Sequence, residues 1–171
     1  MSQESYTPGH TENTTDFMSQ RSFESHGRFF APHLEESHAV LDVGCGPGSI
    51  SLGIAEAVSS GRVHGIDFGE SQIEVARRNA NQAGTKNAEF TQASCYKLPF
   101  KTNSFDRVFC HALMEHLASP TDALAEFFRV LRPGGMIGVC SPDFDGTLLA
   151  PSSPNVTNAI NAYATLQKLQ T

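Results

Sequence analysis

An open α/β sheet of parallel strands is the predicted fold class, and three observations predict it. Short apolar runs alternate five times with helical patterns, the signature of parallel strands joined by right-handed crossovers, with helices on both faces. A glycine-rich turn, Gly44-Cys45-Gly46-Pro47-Gly48, links the first run to the first helical pattern. An aspartate, Asp67, ends the second run 25 residues after Asp42.

Each element follows from local pattern. Residues 1–15 are rich in Ser, Thr, Gly, Pro and Glu and are expected to be mobile. Asp16 is placed to cap a helix over Phe17 to Leu34, with Met18, Phe17, Phe23, Phe29 and Phe30 apolar but without a clean period and Pro32 near its end. Ala39 to Val43 is the first strand. Ser49 to Ser59 is the first helix after it, with Ile50, Leu52, Ile54, Ala55 and Val58 apolar and Gly61 as its stop. Arg62 to Asp67 is the second strand, and Glu70 to Ala83 a helix ended by Gly84. Asn87 to Ala93 and Ser104 to His111 read as strands three and four. Pro120 opens a helix whose apolar positions are Leu124, Phe127, Phe128 and Leu131, stopped by Arg132-Pro133-Gly134-Gly135. Met136 to Ser141 is the fifth strand, and Asn155 to Gln170 has helical spacing.

Composition narrows the function classes. The 171 residues suit one domain, over 16–171, with 39% hydrophobic and 18% charged residues. The formal charge of −6 comes without a basic cluster, so no nucleic-acid partner is expected. No apolar run reaches membrane-spanning length and the N-terminus lacks an apolar signal core, so no membrane partner is expected and the expected compartment is cytoplasmic. Cys45, Cys95, Cys110 and Cys140 form no C-x-x-C, which argues for reduced core thiols and against a metal site.

The glycine turn carries the chemistry. Strand, glycine turn and helix N-terminus form a nucleotide-cradling unit, because glycine admits close backbone approach and the first helical amides are unpaired donors. The dinucleotide fingerprint G-x-G-x-x-G would need glycine at 49, where Ser49 stands. The run Asp42-Val43-Gly44-Cys45-Gly46-Pro47-Gly48 resembles instead the first motif of the class I S-adenosylmethionine-dependent methyltransferases, a Rossmann-like family. Further matches support the resemblance: Gly65-Ile66-Asp67-Phe68-Gly69, Leu98-Pro99-Phe100, Phe105-Asp106 through Glu115-His116-Leu117, and Leu131-Arg132-Pro133-Gly134-Gly135. The fourth of these motifs is similar to that of the small-molecule enzymes that methylate quinone precursors of ubiquinone and menaquinone.

The resemblance implies S-adenosylmethionine as cofactor, held by Asp42, Gly44, Cys45, Gly46, Gly48, Asp67, Phe68, Ser94, Cys95 and His111. It places Asp42 near the methionine ammonium, Asp67 on the ribose hydroxyls and Phe68 against the adenine. The competing reading of Asp67 is a helix cap. Ser94 and Cys95 replace the family's Asp-Ala, so a neutral acceptor stands where a carboxylate meets the adenine amino group, and a weaker contact is expected. In relatives the N-terminal helix covers the cofactor cleft; simple core packing is the competing reading. His111, Glu115 and His116 are candidate catalytic groups for an acceptor that must lose a proton, against the alternative that both histidines are structural. The two histidines, five residues apart, do not share a helix face, which disfavours a metal pair.

The expected strand order is 3-2-1-4-5. The family continues to two more strands, an antiparallel pair covering strand five, and this sequence stops before any such pair, so the domain is expected to be incomplete at its C-terminus. Asp143 and Phe144, after strand five, are placed to line an acceptor pocket. An uncovered strand-five edge is open to pairing with a second copy. Three functions are thus carried forward: methyl transfer to a small molecule, non-catalytic cofactor binding or a scaffold role, and nicotinamide-dependent dehydrogenation.

Overall fold

The computed structural model describes residues 18–141. The expectations for residues 1–17 and 142–171, including Asp16, Asp143, Phe144 and the helical spacing of 155–170, lie outside the described residues. The sheet has five strands in the order β3-β2-β1-β4-β5. They are β1 (Ala39–Val43), β2 (Arg62–Asp67), β3 (Ala88–Gln92), β4 (Phe105–His111) and β5 (Leu131–Cys140). Every pairing is parallel. Three helices lie between strands: α1 (Ser49–Ala57), α2 (Glu70–Ala83) and α3 (Pro120–Val130). Among the described residues no helix is long and apolar enough to cross a membrane.

The sequence Ala-Val-Leu-Asp-Val makes β1 the centre because all five residues are buried, as a parallel strand covered on both faces requires. Its side chains alternate between two cores. Ala39, Leu41 and Val43 join Val108 and Cys110 of β4 and Phe127 and Val130 of α3. Val40 joins Phe109 of β4, Ile50 and Ile54 of α1, and Phe30. Ile73, Ala76 and Ala80 of α2 close over Cys45 and Phe90 in a third cluster. Each large side chain fully removed from water contributes about 1.5–3 kcal/mol, which is enough to hold the β-strand tips in fixed relation.

Several local expectations need correction. The segment predicted as one helix over Phe17 to Leu34 is broken. Ser22 is extended at φ −135° and ψ 163°, and its side chain and that of Ser25 cap each other's backbone amides. A wide π-type turn, Phe23–Gly27, then gives way to a tight 3-10 turn, Arg28–His33, containing Pro32. The irregular aromatic spacing explains the break: Phe23 and Phe30 meet the α1-side core, whereas Phe29 stays 47% exposed. In α3 the buried face is Ala123, Phe127 and Val130, and Phe128 is 67% exposed. Gly61 does not close α1, which ends at Ala57. It lets the backbone pass, since a Cβ there would lie 2.1 Å from the His38 carbonyl oxygen. Strand β5 starts at Leu131, not Met136. Leu131 pairs with Phe105, and Arg132 to Gly135 bulge out before Met136 pairs with Arg107.

Candidate functional site

The site is built where β1, β2 and β4 end. The Gly44 and Cys45 amides both donate to the Ile66 carbonyl, at 2.8 and 2.9 Å, so the turn leaving β1 is fastened to β2. Gly44, Gly46 and Gly48 take φ of 73°, 52° and 80°. At Gly48 no other residue fits: beyond the left-handed backbone, a Cβ would stand 2.9 Å from the Ala76 Cβ and 3.1 Å from the Phe90 ring. The turn thus leads directly into α1, whose first amides have no partner within the helix.

Asp67 locks this turn across the gap between strands. One carboxylate oxygen accepts from the Gly46 amide at 2.9 Å and the other from the Gly69 amide at 2.8 Å. Asp67 therefore shapes two loops without capping α2, whose N-cap is Gly69 with no side-chain cap. Asp42 is 2% exposed and accepts from the Ser51 hydroxyl at 2.5 Å. Burial pushes its carboxyl up from 3.8 to about 7; the Ser51 hydrogen bond opposes this and the Asp67 charge adds to it.

One cleft gathers part of the expected set. Asp42, Gly44, Cys45 and Gly46 line it from the glycine turn, and His111 lines it from the end of β4. Its remaining lining includes two residues that sequence reasoning did not place there, Met18 and Arg21. The Met18 carbonyl accepts from the Ser49 hydroxyl at 3.3 Å, and its sulfur lies 3.6 Å from the Cβ position of Gly46. The N-terminal segment therefore does both things weighed for it: Phe30 packs in the core while Met18 and Arg21 cover the turn.

His111 faces this cleft with a buried, unpartnered Nδ1. Its ring meets His26 edge-on at 5.1 Å between centroids, and the His26 Nδ1 is held by the Ser25 hydroxyl at 2.7 Å. Burial first, then the Arg21 and His26 charges, lower the His111 pKa to about 4, so the imidazole is neutral near pH 7. The next residue, Ala112, has φ 52°, a strained backbone of the kind that concentrates at functional sites. Glu115 and His116 follow in a short turn, Met114–His116, with side chains 11% and 13% exposed and 4.0 Å apart. Glu115 Oε2 is also buried without a partner. Burial lowers the His116 pKa, with Glu115 opposing and the Arg21 charge adding.

Other expected residues stand apart from the cleft. Gly48 serves helix packing. Phe68 follows Asp67 with 76% of its surface exposed, a flat apolar face beside the locked loop. Ser94 is committed locally, its hydroxyl accepting from the Tyr96 amide at 3.3 Å, and Cys95 packs against the α3-side core. Cys45 is 7% exposed, and burial, Asp42 and Asp67 hold its thiol well above its usual pKa, which makes it packing rather than a nucleophile. No cluster of three metal-ligating side chains occurs among the described residues.

Comparison with known proteins agrees with this geometry. A family model described as a methyltransferase domain matches residues 34–170. The chain belongs to this family. An uncharacterized methyltransferase of Schizosaccharomyces pombe is 34% identical over 131 residues, 73% of this chain and 46% of that protein. A demethylmenaquinone methyltransferase of Lactococcus lactis is 38% identical over 103 residues, 60% of this chain and 40% of that protein. The chain spans about half the length of the curated relatives it matches. Among solved structures, a SAM-dependent methyltransferase from Aquifex aeolicus shares the fold, with TM-score 0.72 and 22% identity over 91% of this chain and 88% of that one. A Rickettsia typhi protein solved in complex with AdoHcy is 29% identical, with TM-score 0.57, over 62% of this chain and 21% of that one. S-adenosylmethionine is the family's cofactor, and the donor set fits it: backbone amides beside small residues, a carboxylate at the neighbouring strand tip and an acid at the base of the turn.

Proposed function

We propose that this chain takes part in transferring a methyl group from S-adenosylmethionine to a small-molecule acceptor. The observation that carries the reading is the Asp67 lock on Gly46, which joins the two strand tips around one cleft that His111 also enters. The bound sulfonium supplies an already electrophilic methyl. The protein's part is then alignment and exclusion of water. Gly44 and Gly46 let the ligand approach the backbone, Asp67 accepts from ribose hydroxyls, and Phe68 offers a face to the adenine. His111 suits the acceptor side because it is neutral at pH 7: it places no positive charge beside a sulfonium, yet its unpartnered Nδ1 can take or hold a proton. Glu115 Oε2 is a second buried oxygen without a hydrogen-bond partner, and the His116 Nε2 lies 4.0 Å from the other oxygen of that carboxylate.

His111→Ala is expected to keep S-adenosylhomocysteine binding within about threefold, since the backbone turn and Asp67 hold the nucleoside, and to slow methyl transfer by about a hundredfold. Calorimetry and transfer of labelled methyl to a panel of hydroxylated and amino acceptors measure the two separately. An unchanged transfer rate removes His111 from the chemistry. Titration with NAD against S-adenosylhomocysteine tests the dehydrogenase alternative. Nucleoside binding without transfer to any acceptor would select the non-catalytic reading, which the local commitment of Ser94 to Tyr96 supports.

Two wider statements belong to the proposal. The chain pairs with a second copy through β5, the last strand of the described sheet, where Met136 and Val139 are 39% and 42% exposed. Sedimentation giving a monomer at every concentration would remove that idea. Its compartment is the cytoplasm, in keeping with Cys45 and Cys110 used as buried thiols, the Cys110 pKa being pushed up to about 12 by burial first. No nucleic-acid or membrane partner is proposed, on the charge balance of −6.

A further inference from the structure

We propose that His26 is a positioning residue for methyl transfer: anchored by Ser25, its ring holds the His111 imidazole in place beside the cleft. This rests on the reading of His111 as the group that takes a proton from the acceptor, and it adds a partner that acts only through that imidazole.

The contact follows from how the N-terminal segment lies on β4. Side chains two residues apart in a strand share a face, so Phe109 and His111 present one side of β4 to the chain that crosses it. Phe29 and Phe30 meet the Phe109 ring at 5.9 and 5.6 Å between centroids, and His26 meets the His111 ring edge-on at 5.1 Å. Phe30 also lies over β5, where a Cβ on Gly138 would stand 2.5 Å from its ring. Aromatic packing thus sets the crossing, and His26 is carried to His111 with it. His26 is tied a second time from its own turn. Its amide donates to the Ser22 carbonyl at 2.9 Å, and its Nδ1 shares a hydrogen bond of 2.7 Å with the Ser25 hydroxyl. Ser25 is itself fixed: the Ser22 and Ser25 hydroxyls stand 2.7 Å apart, and each accepts from the other residue's amide at 3.2 Å.

A hydrogen bond at one ring nitrogen ordinarily fixes an imidazole and leaves the other free to work. The His111 Nδ1 is buried without a hydrogen-bond partner, so that atom does not set the ring plane and packing must. An edge-on aromatic neighbour does this without consuming the nitrogen. Charge acts through the same contact. The charged groups around His111 are His26 and Arg21 from the N-terminal segment and Asp42 in the lining of the same cleft. Burial comes first in keeping His111 neutral, and the Arg21 and His26 charges add to it. A proton on His26 is compatible with its anchor, since the Ser25 hydroxyl oxygen can accept, and it opposes a second proton on His111.

The test uses the full 171-residue chain and follows the His111 imidazole by NMR, its signal assigned through its loss in His111→Ala. His26→Phe keeps a ring against His111 but removes the charge. His111 is then expected to titrate about one pH unit higher, the order for two nearby charges partly screened by water. His26→Ala removes the ring as well. It should slow transfer of labelled methyl to hydroxylated and amino acceptors by about tenfold, while S-adenosylhomocysteine binding stays within about threefold of wild type. Added to His111→Ala, it should slow transfer no further, because its effect passes through that ring. An unmoved His111 titration in His26→Phe overturns the assignment, as does a further loss in the double variant, and both leave the proton-accepting role of His111 intact. Transfer unaffected by His111→Ala overturns that role and the assignment with it. The titration needs neither an acceptor nor the alanine variant, so it decides the assignment by itself.

Discussion

Asp67→Ala is expected to weaken S-adenosylhomocysteine binding by at least about a hundredfold, since two hydrogen bonds to a charged group at about 1.5–3 kcal/mol each would be lost. The carboxylate acts twice. It accepts from the Gly46 and Gly69 amides at 2.9 and 2.8 Å, which sets the separation of the two loops. On the proposed function the same carboxylate also accepts from the ribose hydroxyls. Alanine removes the acceptors and releases both amides, so the turn loses its shape as well as its charge. Asp67→Asn separates the two roles. Its single carbonyl oxygen can keep one loop amide but cannot serve both, and an intermediate loss is expected. Calorimetry gives the affinities, and a thermal melt shows whether the fold survives. Binding by Asp67→Ala within about threefold of wild type would contradict the site as drawn.

Asp42→Asn is expected to change the pH dependence of stability and to weaken cofactor binding. The Asp42 carboxyl titrates at about 7 in the folded chain against 3.8 ordinarily, chiefly through burial. Between those values the folded protein holds a proton that the unfolded chain has released. Stability from this group therefore falls as pH rises from about 4 to about 7 and is level above that. Asparagine does not titrate, so the variant should gain on wild type by a few kcal/mol, on that order, between pH 4 and pH 8. Urea unfolding at both pH values measures the difference, and a parallel pH profile for the two proteins would refute it. Wild-type affinity for S-adenosylhomocysteine should rise from pH 6 to pH 8 as Asp42 ionises opposite the ligand ammonium, and the variant should lose that rise. Below pH 7 binding should also release protons, readable as a dependence of the heat on the buffer.

Both variants act on residues whose place was legible before any coordinates. Asp42 sits inside a continuous apolar run that a glycine turn follows, and Asp67 closes the next run, so both fall in predicted strands. Gly84 ends α2 at φ 68° as its position suggests. Such features depend on a few neighbouring residues, and the backbone enforces them locally. The apolar face of α3 was less legible, because Phe127 and Phe128 are indistinguishable until the sheet is there to bury one of them. The bulge from Arg132 to Gly135 that precedes Met136 was hidden for a similar reason: only pairing with Phe105 and Arg107 shows that Leu131 already belongs to the strand.

What the sequence by itself determined is the alternation of strand and helix and the glycine turn after β1, with the strand order expected through the family resemblance. The first two are written in periods of two and 3.6 residues and in glycines whose backbone angles other side chains avoid. What only the tertiary structure decided is the other end of the site. Arg21, Met18 and His26 lie in an aperiodic, mostly polar stretch with no motif around them. Met18 and Arg21 line the cleft and His26 meets the His111 ring, because Phe23 and Phe30 find partners in α1 and β4, contacts distant in the chain. Long-range burial aims that segment, and no local pattern records where it will point.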